Sequence, residues 1–200
     1  GLVVRRATTE QLRKAAQTTL RHLYHAAWQP VNVPETPWNP DGQLVVGDGA
    51  LAAGLGLEST ADLQAWLSSL GDDAVAPKRL VVDATELASG SAIESTQSAA
   101  HQTLARLQAL LADERSSTTE LVWVTRGAVS AGGGITDLGH AATWGLVRTA
   151  RSENPGRSIR LVDVGEVELS DPRLRQAIAY QNESELALGL ESTLGLRLNA

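Results

Sequence analysis

The stretch LVWVTRGAVSAGGGITDLGH, residues 121–140, runs from a hydrophobic strand through a glycine-rich turn to the start of a helix. Many α/β proteins hold a phosphate in that order of elements. Its first four residues decide the fold. Leu121-Val122-Trp123-Val124 is apolar without alternation. A strand with no polar face is buried on both sides, as in a parallel sheet covered by helices. Working outward, Leu44-Val45-Val46, Leu80-Val81-Val82 and Ile159-Arg160-Leu161-Val162 read as companion strands. The spacing predicts helices at about 60–70, 91–114 and 136–153. In the second, Ala100, Leu104, Leu107 and Leu111 form one apolar stripe. In the third, Leu138, Ala142 and Gly145 make a face of small residues that would let the helix lie close to the sheet. Asn154-Pro155-Gly156 ends it. Asp171-Pro172 opens a last helix at about 171–180, as N-cap and first helical position.

The flanks are less regular. Leu2 to Arg5 reads as a short strand, and Thr8 or Thr9 caps a helix to about Leu20. Leu23 to Trp28 reads as extended, and Pro30 to Gly42, with four prolines, as a loop. The tail from Glu185 to Leu198 reads as two short strands. Strands alternating with helices predict an α/β fold with a doubly wound, mainly parallel sheet.

Composition narrows the function. A net charge of −6 argues against a nucleic-acid binder, because phosphate contacts need a basic face. The absence of cysteine excludes disulfides, thiolate metal sites and cysteine nucleophiles. No apolar run approaches the roughly 20 residues that cross a bilayer. The cytoplasm is the expected compartment. The chain has no Met and no Phe, and its first residue reads as a cut point in a longer polypeptide.

Gly47-Asp48-Gly49-Ala50-Leu51-Ala52 is the strongest nucleotide candidate, a G-x-G-x-x-A directly after the Leu44–Val46 strand. Such glycines let a backbone approach a pyrophosphate over a helix N-terminus. Gly54 and Gly56 interrupt the helix that should follow, and the expected next strand, ending in an acid, is hard to see. Asp62 falls near the right distance but within a helical pattern. The alternative is a tight strand-to-helix turn. Gly132-Gly133-Gly134 stands seven residues beyond Thr125, too far for a phosphate turn off that strand, and no P-loop Lys follows. Arg126 reads as a solvated loop residue.

Asp48, Asp83 and Asp163 each follow a strand, where a metal or ribose site forms in such sheets and where caps and turns also need Asp. The capping reading is preferred. His22 and His25 fall on opposite faces of a strand, and His101 and His140 are isolated on helices, so no metal signature appears. There is no Tyr-x-x-x-Lys pair and no nucleophile elbow. Trp66, Trp123 and Trp144 read as core, and Trp38 as cover for a neighbouring surface. No catalytic, cofactor-binding or metal-ligating residue is expected.

Several of these motifs together resemble a family. Leu23-Tyr24-His25-Ala26-Ala27-Trp28-Gln29-Pro30-Val31 is similar to the entry strand of ketoreductase domains in modular type I polyketide synthases. Val124-Thr125-Arg126-Gly127-Ala128, Trp144-Gly145-Leu146 with Arg148, Glu153-Asn154-Pro155, Leu161-Val162-Asp163 and Glu183 to Leu188 follow in the family's order. The likeness covers about residues 22–200 and resembles only the first half of such a ketoreductase. It implies a structural subdomain, short-chain dehydrogenase/reductase-like, with a truncated Rossmann-like sheet that lacks the cofactor motif. The implied partner is a catalytic subdomain carrying NADPH and the Ser, Tyr and Lys residues, which reduces β-ketoacyl chains on an acyl carrier protein. Residues 2–15 are similar to the end of a dehydratase domain and its linker, which implies a boundary near residue 21 and a neighbouring dehydratase or enoylreductase. Two other readings stay open: a small nucleotide-binding domain using Gly47–Ala52, and an inactive scaffold in a module that performs no reduction.

Overall fold

A computed structural model describes residues 8–10, 24–71, 76–86, 91–131 and 137–199. The expected strand at Leu2–Arg5, nearly all of the helix expected up to Leu20, the boundary near residue 21, His22 and the Gly132–Gly134 run lie outside the described residues.

One eight-stranded sheet forms the middle layer, in the order β1-β8-β7-β6-β5-β4-β2-β3. The strands are β1 (His25–Pro30), β2 (Gln43–Val46), β3 (Ser59–Thr60), β4 (Arg79–Ala84), β5 (Glu120–Thr125), β6 (Ile159–Asp163), β7 (Glu185–Leu188) and β8 (Thr193–Asn199). From β3 to β7 every pairing is parallel. β8 runs antiparallel to β7, and β1 antiparallel to β8. The helices are α1 (Ala50–Leu55), α2 (Leu63–Ser69), α3 (Ala92–Ala112), α4 (Leu138–Glu153) and α5 (Pro172–Ala179).

β5 lies near the middle, and all six of its residues are buried. Side-chain alternation sends Val122 and Val124 to one face, with Val45, Val81, Val162 and Leu186. α1 and α5 cover that face with Leu51, Leu55, Leu174 and Ile178. Leu121 and Trp123 go to the other, with Val46, Leu80, Val82 and Leu161. There α2, α3 and α4 supply Leu63, Leu67, Leu107, Leu110, Trp144 and Val147. Two apolar faces on one strand are the physical basis of its unbroken apolar run. The indole N–H groups of Trp123 and Trp144 have no hydrogen-bond partner among the described residues. Each costs about 1–3 kcal/mol, so these rings are held by packing alone.

Four expectations need correction. Residues 59–60 pair with β2 as a two-residue edge strand, so the helix begins at Leu63, and Asp62 is its N-cap, accepting from Ala65 N–H at 2.9 Å. On α3 the expected stripe holds in part: Leu107 is buried and Leu111 packs against the core, but Leu104 is exposed and Thr103 and Leu110 take the other buried positions. On α4 they include Gly139, His140, Thr143, Trp144 and Val147, whereas Leu138 and Gly145 face outward. In both helices the register is displaced toward Thr and His side chains that periodicity scores as polar. Trp38 packs on this chain's own core beside α1 and α5. Trp66 is half-buried against the opposite core, as expected. Asp171 caps α5 as expected.

Candidate functional site

In an open α/β sheet the ligand crevice lies outside the carboxyl ends of the strands, where the strand order reverses. Here that point is between β2 and β4. Gly47, Asp48 and Gly49 leave β2 there, and Asp83 and Ala84 close β4. The sequence motif therefore sits at the position where a nucleotide site would be built.

The glycines have local reasons. A Cβ on Gly47 would lie 2.4 Å from the Cβ of Asp83, well inside contact distance. Gly49 adopts φ +106°, a conformation that side chains resist. A Cβ on Gly54 would lie 2.4 Å from the carbonyl oxygen of Leu169. α1 has six residues and no side-chain cap. It is too short to present an N-terminal field to a pyrophosphate.

The cleft itself has a volume of about 80 Å³ and is lined by Gly47, Asp83, Gln102, Arg106, His140 and Thr143, among others. Small-molecule sites typically need roughly 300–1,000 Å³. Arg106, from α3, reaches across and donates to the carbonyl oxygen of Asp83 at 2.8 Å. Burial lowers the pKa of its guanidinium, and Asp83 and Asp48 oppose that shift. Asp83 Oδ1 accepts from the N–H and hydroxyl of Thr85 at 2.9 and 2.8 Å, an Asx turn that shapes the β4–α3 loop. His140 is buried, with Nδ1 2.6 Å from the carbonyl oxygen of Arg126 and Nε2 3.3 Å from that of Glu86. It ties the β4–α3 and β5–α4 loops together, a role its isolated place in the sequence did not signal. Thr103 and Thr143 share a hydroxyl contact at 2.9 Å and join α3 to α4.

The other strand-end acid serves a different loop. Asp163 Oδ1 accepts from the Thr125 hydroxyl at 2.8 Å and from Ala128 N–H at 3.0 Å. Burial raises the pKa of its carboxyl, against the hydrogen bonds from Ala128 and Thr125. By strand alternation Asp83 shares the face of Val81 and Asp163 that of Leu161, so the two acids do not converge. Asp48 is exposed. Among the described residues no group of three His, Asp or Glu side chains is arranged to hold a metal ion. Arg126 is not a solvated loop residue: its Nη1 donates to the carbonyl oxygens of Gly165 and Val167, bracing two loops.

The opposite, amino-terminal end of the sheet holds an ionic network. Glu120 accepts from Arg79 at 2.7 Å, Arg160 at 2.9 Å and Gln181 at 3.0 Å. Arg160 also donates to the carbonyl oxygens of Ala177, Ile178 and Tyr180, which closes the carboxyl end of α5. Glu185 accepts from Arg148 and Arg151 of α4. Burial pushes the Glu120 and Glu185 carboxyls up, but their donors outweigh it, so both pKa values end below the ordinary one. Arg160, interrupting an apolar run, and Glu120, immediately before one, are the visible signals that sequence reading missed.

With this geometry in view, comparison with known proteins is specific. Residues 26–198 match the family described as polyketide synthase extender module SpnB, Rossmann fold domain. The chain belongs to this family. Polyketide synthase GfsE of Streptomyces halstedii is 36% identical over 166 residues, covering 82% of this chain and 4% of that protein. Spectinabilin polyketide synthase system protein NorB of Streptomyces orinoci is 35% identical over 196 residues, covering 94% of this chain and 9% of that protein. The SpnB-type Rossmann domain is thus a small part of much longer polypeptides. Among solved structures, an A-type ketoreductase from a modular polyketide synthase superposes with a TM-score of 0.67 at 26% identity, over 88% of this chain and 42% of that one. A C2-type ketoreductase shares the fold with a TM-score of 0.61. The expected Rossmann-like, mainly parallel sheet is the one observed.

Proposed function

We propose that this domain is the structural, non-catalytic half of a polyketide synthase ketoreductase. The observation that carries the reading is the crevice between β2 and β4: the protein fills it with its own Asp83, Arg106 and His140, leaving about 80 Å³. The domain also matches less than half of a ketoreductase chain. Its role is to support a catalytic half that binds NADPH and reduces β-ketoacyl groups on an acyl carrier protein, in the cytoplasm. Residues 1–21 are the end of a preceding dehydratase region, and 22–200 are the structural subdomain. Covering an apolar surface or an unpaired strand of the catalytic half would keep it from aggregating. Residues 22–29 and the tail 185–198 are the parts that would meet that half; β1, which overlaps the first, is an edge strand with four exposed residues.

Titration calorimetry of the isolated chain with NADPH and with ATP tests this reading. No heat of binding is expected from either. Micromolar binding would overturn it in favour of a nucleotide-binding domain using Gly47–Ala52.

A further inference from the structure

His140 is 3% exposed and faces a backbone carbonyl oxygen with each ring nitrogen: Nδ1 that of Arg126 at 2.6 Å, Nε2 that of Glu86 at 3.3 Å. A carbonyl oxygen only accepts. Each ring nitrogen must therefore donate, and a neutral imidazole has one N–H. The shorter contact takes it, which places the first proton on Nδ1. On a neutral ring the Nε2 lone pair would then face the lone pairs of the Glu86 oxygen, and two acceptors repel. Both contacts are hydrogen bonds only when the ring is an imidazolium.

The charges around the ring are mixed. Asp137 Oδ1 lies 3.8 Å from Nδ1. The same oxygen accepts from the His140 backbone N–H at 2.8 Å as the cap of α4. Asp48, Asp83 and Glu86 bring negative charge to the cleft, and Arg106 of α3 brings positive charge. The positive end of α4 works against a charged ring, since His140 is the third residue of that helix. Gln102 and Thr103 of α3 and Thr143 of α4, which also line the cleft, carry no charge. Arg126 offers its carbonyl here, while its guanidinium is turned to Gly165 and Val167.

The two contacts hold different things. The β5–α4 loop is closed without the ring, because Asp137 N–H donates to the Gly127 carbonyl oxygen at 3.1 Å and Ala128 N–H donates to Asp163. On the β4–α3 side, the Asx turn reaches only to Thr85, and the Glu86 carbonyl beyond it is met by Nε2. Glu86 is also part of the cleft wall.

We propose that His140 is a proton-operated latch on the crevice between β2 and β4. With both ring nitrogens protonated, it fastens the β4–α3 loop to the β5–α4 loop. When pH rises and Nε2 gives its proton to solvent, the Nδ1 bond remains and the Glu86 carbonyl is let go, which frees one wall of the crevice. The latch goes beyond the scaffold role and stands without it.

Imidazole NMR spectra of the 200-residue chain between pH about 5 and 8, where histidine changes charge, read the ring directly. Nδ1 should carry a proton throughout, and Nε2 only in the lower part of that range. Amide hydrogen exchange, corrected for its intrinsic pH dependence, reads the loops. Protection at Thr85 should fall on the order of tenfold as Nε2 deprotonates, the loss of one hydrogen bond. Protection at Asp137 should stay constant. His140→Gln should make Thr85 protection independent of pH, and His101→Gln, at an exposed position of α3, should leave the dependence intact. The wild-type titration needs neither variant to fold. A ring that is neutral at the acid end, a ring still charged at the alkaline end, or an Nε2 proton that leaves without loosening Thr85 would each overturn the latch.

Discussion

The two ends of the parallel strands treat charge in opposite ways. At the amino-terminal end, Arg79, Glu120 and Arg160 join three adjacent strands and close the carboxyl end of α5. At the carboxyl end, Asp83 and Asp163 each serve their own loop, and the crevice between β2 and β4 is nearly filled. In α/β proteins chemistry is built at the carboxyl end. Here the shared charged network lies at the other end, where it holds strands and helices in place. That distribution fits a part that carries load rather than substrate.

Breaking the amino-terminal network should have the largest effect. Arg160→Ala leaves Glu120 buried with Arg79 as its one cation beside the Gln181 amide, and frees three helix-end carbonyls, with an expected loss of about 3–5 kcal/mol. Urea unfolding measures it, and a loss under about 1 kcal/mol would erase the contrast between the two ends. At the carboxyl end, Gly47→Ala should cost about 1–3 kcal/mol by overpacking against Asp83. Pairing it with Asp83→Gly should recover part of that loss in a double-mutant cycle; strict additivity would mean that the strand ends are not in close contact.

The smallest effects separate the ends by pH. The folded-state pKa values of Glu120 and Glu185 are depressed, so their contribution is present above the unfolded glutamate value of about 4.3. It is lost as pH falls through the folded values. Glu185→Gln should flatten that acid limb. Asp163 has the opposite sign: its folded value is raised, so it weakens the fold as pH rises from the unfolded aspartate value through the folded one. Asp163→Asn should remove that decline while keeping an acceptor for Thr125 and Ala128. Stability-against-pH curves for the two variants that change in the same direction would contradict the assignment.

Much of the layering was legible because two-sided burial leaves an unbroken apolar run, as in Leu121–Val124. Asp171-Pro172 was legible because capping is local. What failed had a common physical origin. Periodicity ranks residues by polarity, so it preferred Leu104 over Thr103 and Leu138 over His140, although the hydroxyl and imidazole satisfy themselves inside. β3 was hidden because two residues on a sheet edge need little apolar character. The G-x-G-x-x-A motif was legible as a strand-to-helix turn, but the local reasons for its glycines were not. Its glycines answer to Asp83 and to backbone conformation, contacts about forty residues away or invisible to spacing.

The pairing of the first described strand with the last has a consequence for how such a unit travels. His25 stands opposite Asn199 across the β1–β8 ladder. The outer end of the first described strand and that of the last therefore lie side by side. Units with neighbouring ends are tolerated as insertions in longer chains. This one brings the outer ends of its first and last described strands together, the geometry that such an insertion uses.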